Sequence, residues 1–258
     1  GAFDYYDSIF CVGPHHIKEI LKREKLHELH QKNLVKTGYY PLERICSEYQ
    51  MYLAEKPTNK DKTTVLIAPS WGDNNIIESC GENLVELLLR KGYEVIVRPH
   101  PETVRRFPQL VNVFDTRFGN NPAFTLEKSV ASYESLLISD VLVCDSSGVA
   151  LEYAFGTGRP VLFLDVPYMI RNENYKDLDL EVFELSIRNE IGVVVSHEKL
   201  DEIPKIIEKL KADQMNYKRQ IEKLREQNVF AFGNSSEIGA QYILNIIREK
   251  KVDKEEYL

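Results

Sequence analysis

The chain is poor in cysteine and almost without tryptophan: Cys11, Cys46, Cys80 and Cys144 are its four cysteines and Trp71 its one tryptophan, in 258 residues. The cysteines stand far apart and form no C-x-x-C pair, which argues against zinc spacings and a dense disulfide framework. A reducing, cytoplasmic setting is the simpler expectation. No run of the roughly 18 apolar residues that cross a bilayer occurs, and no basic, apolar, small-residue export signal opens the chain. Contact with the inner face of a membrane stays open. Positive charge is also short: 33 Lys and Arg stand against 40 Asp and Glu, a net charge of −7. The field that would draw the whole chain onto nucleic acid is therefore missing, and any nucleotide bound is expected to be small. Also absent are G-x-S-x-G, the Walker loop and H-E-x-x-H, so three common catalytic plans lack their signatures.

What is present is a folding composition. Hydrophobic residues make up 43% and charged residues 28%, spread along the whole length, so a folded body with a sizeable core is expected. From Thr63 onward short β-rich runs alternate with helical stretches, the pattern of βαβ units and a parallel sheet. The runs are Thr64 to Ala68, Tyr93 to Arg98, Val111 to Phe114, Val141 to Cys144, Val161 to Leu164 and Val193 to Ser196. Helical spacing falls on Glu82 to Lys91, Val130 to Leu137, Gly148 to Phe155 and Lys199 to Leu210. The reading is an α/β fold with a doubly wound, Rossmann-like parallel sheet, whose ligand crevice lies at the carboxyl ends of the strands.

The flanks read differently. Asp7 to Val12 is an apolar strand, Gly13-Pro14-His15-His16 a turn, and Ile17 to Leu29 an amphipathic helix, followed by a short apolar piece from Asn33 to Tyr40 and a helix over Leu42 to Ala54. Lys56 to Lys62 is polar, contains Pro57 and reads as a linker. Met215 to Gln227 is a charged helix, Asn234 with Glu237 makes a capping-box-like start to a last helix, and Lys250 to Glu256 is expected to fray. The chain begins Gly-Ala and its first strand reads as mid-fold, so a longer protein upstream is expected.

Three stretches carry candidate chemistry. Asp145-Ser146-Ser147-Gly148 follows a strand and opens a helix, which places unpaired amides, two hydroxyls and the positive end of a helix dipole where a diphosphate fits. Glu152, about one and a half turns on, is near enough to accept from ribose hydroxyls. The plain alternative is a capped helix with a solvated glutamate. Arg98-Pro99-His100-Pro101 ends another strand, with two prolines that rigidify the backbone around an imidazole able to donate to a phosphate oxygen or give a proton to a leaving group. Ala68-Pro69-Ser70-Trp71-Gly72 ends a third, with Ser70 as the contact and Trp71 as packing. Adjacent His15 and His16 diverge and have no carboxylate cluster, so they read as structural rather than metal-binding. No carboxylate pair marks a magnesium site, so no cofactor is expected and a Mg²⁺ requirement stays open.

Together, in order, Ala68-Pro69-Ser70-Trp71, Arg98-Pro99-His100-Pro101, Ser139-Asp140 through Asp145-Ser146-Ser147, Arg159-Pro160 and Gly233-Asn234-Ser235-Ser236-Glu237 resemble the donor domain of the CDP-glycerol glycerophosphotransferases of teichoic acid and capsule assembly. The resemblance covers about Lys32 to Ile247. It implies a GT-B architecture in which an acceptor hydroxyl on a polymer or lipid-linked chain attacks the glycerol-bearing phosphorus of CDP-glycerol and displaces CMP. It maps the diphosphate contacts onto His100, Ser146 and Ser147; taken with the reading of the residues, His100 is the candidate catalytic residue, and Ser70, Arg98, His100, Asp145, Ser146, Ser147, Gly148 and Glu152 are the candidate donor-binding set. On that basis residues 1–62 are expected to end an acceptor domain, 63–233 to form the donor domain and 234–258 a crossover helix and tail. The family's N-terminal His-Gly motif has no counterpart here, and Gly72 stands where the family usually has Arg. Asp145 to Leu164 is also similar to the matching turn and helix of GT-B glycosyltransferases and UDP-N-acetylglucosamine 2-epimerases, where a Glu at the position of Glu152 binds ribose. A nucleotide-sugar transferase and a non-catalytic nucleotide-sugar-binding module are the two competing readings.

Overall fold

The computed structural model describes residues 2–55, 62–167 and 173–255. In chain order the elements are β1 (Ser8–Cys11), α1 (Pro14–Leu26), β2 (Asn33–Lys36), α2 (Tyr40–Glu55), β3 (Thr64–Ile67), a π-helical turn (Ile77–Gly81) leading into α3 (Glu82–Arg90), β4 (Glu94–Val97), α4 (Pro101–Arg106), α5 (Pro108–Phe118), β5 (Phe124–Leu126), α6 (Glu134–Ile138), β6 (Val141–Cys144), α7 (Val149–Thr157), β7 (Val161–Asp165), α8 (Phe183–Ser186), α9 (Arg188–Ile191), β8 (Gly192–Ser196), α10 (Ile203–Ala212), α11 (Gln214–Asn228) and α12 (Ser235–Glu255). Two compact units result. One comprises Gly1–Arg44, Asn174–Leu180 and Lys223–Leu258, the other Ile45–Glu173 and Glu181–Glu222.

The larger unit holds a six-stranded parallel sheet in the order β5-β4-β3-β6-β7-β8. The chain starts at the centre on β3, winds outward through β4 and β5, then returns to the other side of β3 and winds out again through β6, β7 and β8. β3 and β6 are buried at all four positions each, as parallel strands covered on both faces must be. Side chains alternate across the sheet: Val65, Ile67, Val95, Val97, Val141, Val143, Leu162 and Leu164 share a core with Leu84 and Leu88 of α3 and Ile203, Ile207 and Leu210 of α10. α6 packs on β3, and α7 packs on β6 and β7.

The sheet differs from the expected pattern at one strand. Val111 to Phe114, expected as a strand, lies inside α5, where Pro108 sits in the first turn and Val111, Phe114 and Phe118 bury one face at helical spacing. The outer strand is instead Phe124–Leu126, three residues with Phe124 alone fully buried. The helix expected over Val130 to Leu137 is shorter, Glu134–Ile138. The linker expected at Lys56 to Lys62 lies, apart from Lys62, outside the described residues.

In the smaller unit β1 and β2 pair in parallel from Ser8↔Asn33 to Cys11↔Lys36. Gly13 is buried between β1 and α1 because a Cβ there would stand 1.8 Å from the Asn228 carbonyl oxygen. α12 begins under a cap from far away in the chain: the amides of Gly233 and Ser235 donate to Glu43 Oε1 at 2.8 and 3.1 Å. Its backbone stays helical to Glu255, beyond the Lys250 at which fraying is expected. Among the described residues no helix is long and apolar enough to cross a membrane.

Candidate functional site

The sheet reverses its winding between β3 and β6, the switch point beyond whose strand ends open α/β sheets bind their ligands. Register holds the loops side by side. Ile67 pairs with Val143, and the Ala68 amide extends the ladder by donating to the Val143 carbonyl at 3.0 Å. On the other side of β3, the Arg98 amide donates to the Ile67 carbonyl at 2.9 Å. The carboxyl ends of β3, β4 and β6 thus bring Ser70, His100 and the 145–148 turn to one edge of the sheet.

The turn after β6 has the features of an anion cradle. α7 starts at Val149, and its first backbone bonds run from Ala150 to the Ser147 carbonyl and from Leu151 to the Gly148 carbonyl. Among the described residues the amides of Ser147, Gly148 and Val149 meet no backbone carbonyl, so the donors at the positive end of the helix are left to another partner. Ser146 and Ser147 are half-buried, Gly148 is exposed, and a Cβ at Gly148 would meet nothing within 4 Å. Glu152 is half-buried in the first turn of α7.

His100 is the N-cap of α4. Its Nδ1 accepts the Glu102 amide at 3.1 Å, and Pro101 occupies the first helical position. With Nδ1 accepting, the neutral ring carries its proton on Nε2. Trp71 lies beside it, ring centroids 6.1 Å apart and tilted by 31°, and the Arg106 guanidinium sits 5.3 Å from the Trp71 ring. Arg106 also donates through Nε to Glu102 Oε2 at 2.6 Å, and Arg105 reaches the same oxygen at 2.7 Å. Arg105 and Arg106 together hold the Glu102 carboxyl below the usual range. Arg106 carries no motif that would have singled it out in the sequence; its only signal is its place on the helix that His100-Pro101 opens.

Two members of the expected set lie deeper. The Arg98 side chain is buried, donating to Ser135 Oγ at 3.0 Å and to the Val130 carbonyl at 3.3 Å. It straps α6 and the irregular stretch before it to the end of β4. Asp145 is 1% exposed, and its Oδ1 accepts the Ser70 amide at 2.8 Å. Burial pushes its carboxyl pKa up, opposed by the Ser70 hydrogen bonds. Burial, with the Asp145 charge adding, also pushes up the Cys80 and Cys144 thiols, so neither is a ready nucleophile.

Gly72 has φ 112° in the turn after Ser70. Only glycine holds that conformation without strain, so the Arg of the resembling family has no place on this backbone. The His15-His16 pair sits in the first turn of α1, with rings 4.6 Å apart and His16 Nδ1 3.4 Å from the Val12 amide. Among the described residues no group of three His, Cys, Asp or Glu side chains is placed to hold a metal ion.

Residues 3–247 match the family described as CDP-Glycerol:Poly(glycerophosphate) glycerophosphotransferase. The chain belongs to this family. Its fold is similar to that of the wall teichoic acid polymerase TagF, at TM-score 0.55 and 19% identity, over 96% of this chain and 59% of that one. A variant of TagF soaked with CDPG matches at TM-score 0.58 and 21% identity, over 97% of this chain and 58% of that one. The UDP-GlcNAc 2-epimerase of Methanocaldococcus jannaschii, in complex with UDP-GlcNAc and UDP, matches at TM-score 0.53 and 18% identity, over 94% and 61%. No curated protein matches. The chain thus spans about three-fifths of the length of these solved structures, and the likeness gives the larger unit a GT-B type, Rossmann-like fold.

The glycerophosphotransferase motifs divide between the two ends of this sheet. Ser139-Asp140 and Arg159-Pro160 lead into β6 and β7 at the amino end, opposite the crevice. There the Arg159 guanidinium donates to the Leu137 carbonyl at 3.0 Å and to the Ser139 carbonyl, and stacks 4.7 Å from the Tyr49 ring. Tyr153 Oη donates to the same Ser139 carbonyl at 3.1 Å, and Asp140 Oδ2 accepts the Thr64 amide at 2.8 Å. These residues fasten the strand starts together. The other motifs of the sheet, around Ser70, His100 and the 145–148 turn, lie at the carboxyl end.

Proposed function

We propose that the larger unit binds the nucleotide-activated donor, CDP-glycerol, of a transferase that moves glycerol phosphate onto a polymer acceptor. The observation that carries this reading is the start of α7, at the switch point of the sheet, where among the described residues the amides of Ser147, Gly148 and Val149 meet no backbone carbonyl and a Cβ at Gly148 would meet nothing within 4 Å. A diphosphate seated there gains the helix dipole, the backbone donors and the hydroxyls of Ser146 and Ser147. His100, with its proton on Nε2, donates from the β4 side, and Ser70 lines the β3 side. Glu152 accepts from the ribose hydroxyls. Arg98 and Asp145 support the crevice walls from behind.

In the reaction a hydroxyl of the acceptor attacks the glycerol-bearing phosphorus. The new P–O bond forms as the bond from that phosphorus to the bridging oxygen breaks, CMP leaves with the electron pair, and the acceptor hydroxyl's proton passes to a base outside this chain or to water. The cradle lowers the barrier by neutralising charge that grows on the departing phosphate, with the His100 N–H supplying a hydrogen bond or a proton there. Family membership supports CDP-glycerol over a nucleotide sugar.

Titration calorimetry tests the assignment. CDP-glycerol is expected to bind more tightly than UDP-N-acetylglucosamine, and His100→Ala to weaken it by about tenfold, the loss of one charge-assisted hydrogen bond. Equal or reversed preference between the two nucleotides overturns the cytidine assignment.

A further inference from the structure

Asp145 has no opening through which a donor could touch it. It is 1% exposed, and Oδ1 is already engaged with the Ser70 amide. Its second oxygen, Oδ2, is buried without a hydrogen-bond partner. A carboxylate left half-satisfied in the interior is unfavourable, and burial raises its pKa accordingly. Its hydrogen bonds, those from Ser70 foremost, oppose that rise, and such a group is retained where they perform a task that an apolar residue could not.

The task follows from the topology. Ser70 and Asp145 lie 75 positions apart, on the loops leaving two strands that part at the switch point. Beyond the Ala68 amide the β3–β6 ladder ends, and the turn through Gly72 at φ 112° and Asn74 at φ 61° carries the chain away from the sheet. Asn75 secures the far end of that turn, donating to the Gly72 carbonyl at 2.6 Å and accepting from the Ile77 amide at 2.8 Å. At the near end the Ser70 amide is held by Asp145.

We infer that Asp145 is a positioning residue: through the Ser70 amide it holds the 69–72 turn, with Ser70 and Trp71, against the 145–148 turn, so that both walls of the crevice stand at a fixed separation before the donor arrives. This inference rests on the donor reading above and assigns Asp145 a role distinct from contact with the donor. It also accounts for the tilted ring contact beside it, because Trp71, placed by this turn, lies next to His100. A carbonyl oxygen suffices for the bond, so asparagine can replace the carboxylate while alanine cannot.

The test follows Ser70 amide exchange by NMR in the ligand-free chain, and CDP-glycerol affinity by calorimetry, in wild type, Asp145→Asn and Asp145→Ala. In Asp145→Ala the Ser70 amide is expected to exchange about 100-fold faster while the β3 and β6 amides stay protected, and affinity to fall about tenfold or more. Asp145→Asn is expected to keep both within about threefold of wild type. If Asp145→Ala leaves Ser70 protected yet loses affinity, the carboxylate meets the donor and the positioning role is overturned. Equal losses in Asn and Ala overturn it as well. Should wild type fail to bind CDP-glycerol, the donor reading fails, and Ser70 exchange in the ligand-free chain still decides whether Asp145 holds the turn.

Discussion

His100 and Glu102 are joined by a 3.1 Å bond in which the imidazole Nδ1 accepts the backbone amide. One ring nitrogen therefore closes a helix end, and the proposed donor contact draws on the other, so the two roles use separate atoms of one side chain. Substitution can separate them. His100→Ala removes both and is expected to cost about 1 kcal/mol of stability along with donor affinity. His100→Asp keeps a good cap, with stability within about 0.5 kcal/mol of wild type, but turns a donor into an anion facing the diphosphate. Its affinity is expected to fall below that of the alanine variant. Urea unfolding and calorimetry on the pair check this, and an aspartate variant that binds as well as wild type removes His100 from the site.

Gly72 and Gly148 line the same crevice for different reasons. At φ 112° Gly72 is fixed by backbone sterics, and Gly72→Ala is expected to destabilise by about 1–2 kcal/mol. Gly148 has φ −59° and open space where a Cβ would stand. Gly148→Ala is expected to leave stability within about 0.5 kcal/mol and yet reduce donor affinity several-fold, because the methyl stands where the proposed reading seats the phosphate. Finding the larger affinity loss at Gly72→Ala, in chain confirmed to be folded, would place the donor elsewhere.

A pH effect is expected in the smaller unit. Burial, with the neighbouring His16 adding, lowers the His15 pKa to about 4 from an ordinary 6.5. The fold thus favours neutral His15, and between those values the unfolded chain binds the extra proton. The contribution is present above pH 6.5 and is lost as pH falls toward 4. His15→Gln is expected to flatten this part of the stability profile, measured as urea midpoints at pH 7 and pH 5. An unchanged slope would show that another group carries the acid sensitivity.

The central sheet was legible because its strands are β-branched runs bounded by polar turns, and Val141 to Cys144 falls where expected. Val111 to Phe114 misled because four residues contain too little periodicity to separate a strand from a helix face; including Pro108 and Phe118 restores the helical spacing. The outer strand escaped notice because three residues at a sheet edge leave almost no pattern. At the site, residue type and strand-end position marked Ser70, His100 and the Ser146-Ser147 turn. The partners of Arg98 and Asp145 were not legible, because Ser135 lies 37 positions from the one and Ser70 lies 75 from the other. Arg106 was missed for a related reason: its value comes from Trp71, which tertiary structure alone brings beneath it.

The central adjacency of β3 and β6 carries a consequence for biosynthesis. A chain emerging residue by residue completes β3, β4 and β5 before β6, the strand that supplies the opposite wall, has appeared, and pairing β3 with β6 across their separation is slow to form. On the proposed reading, nucleotide capture then waits until the second winding has begun, and a fragment ending before β6 would hold only one wall of the pocket.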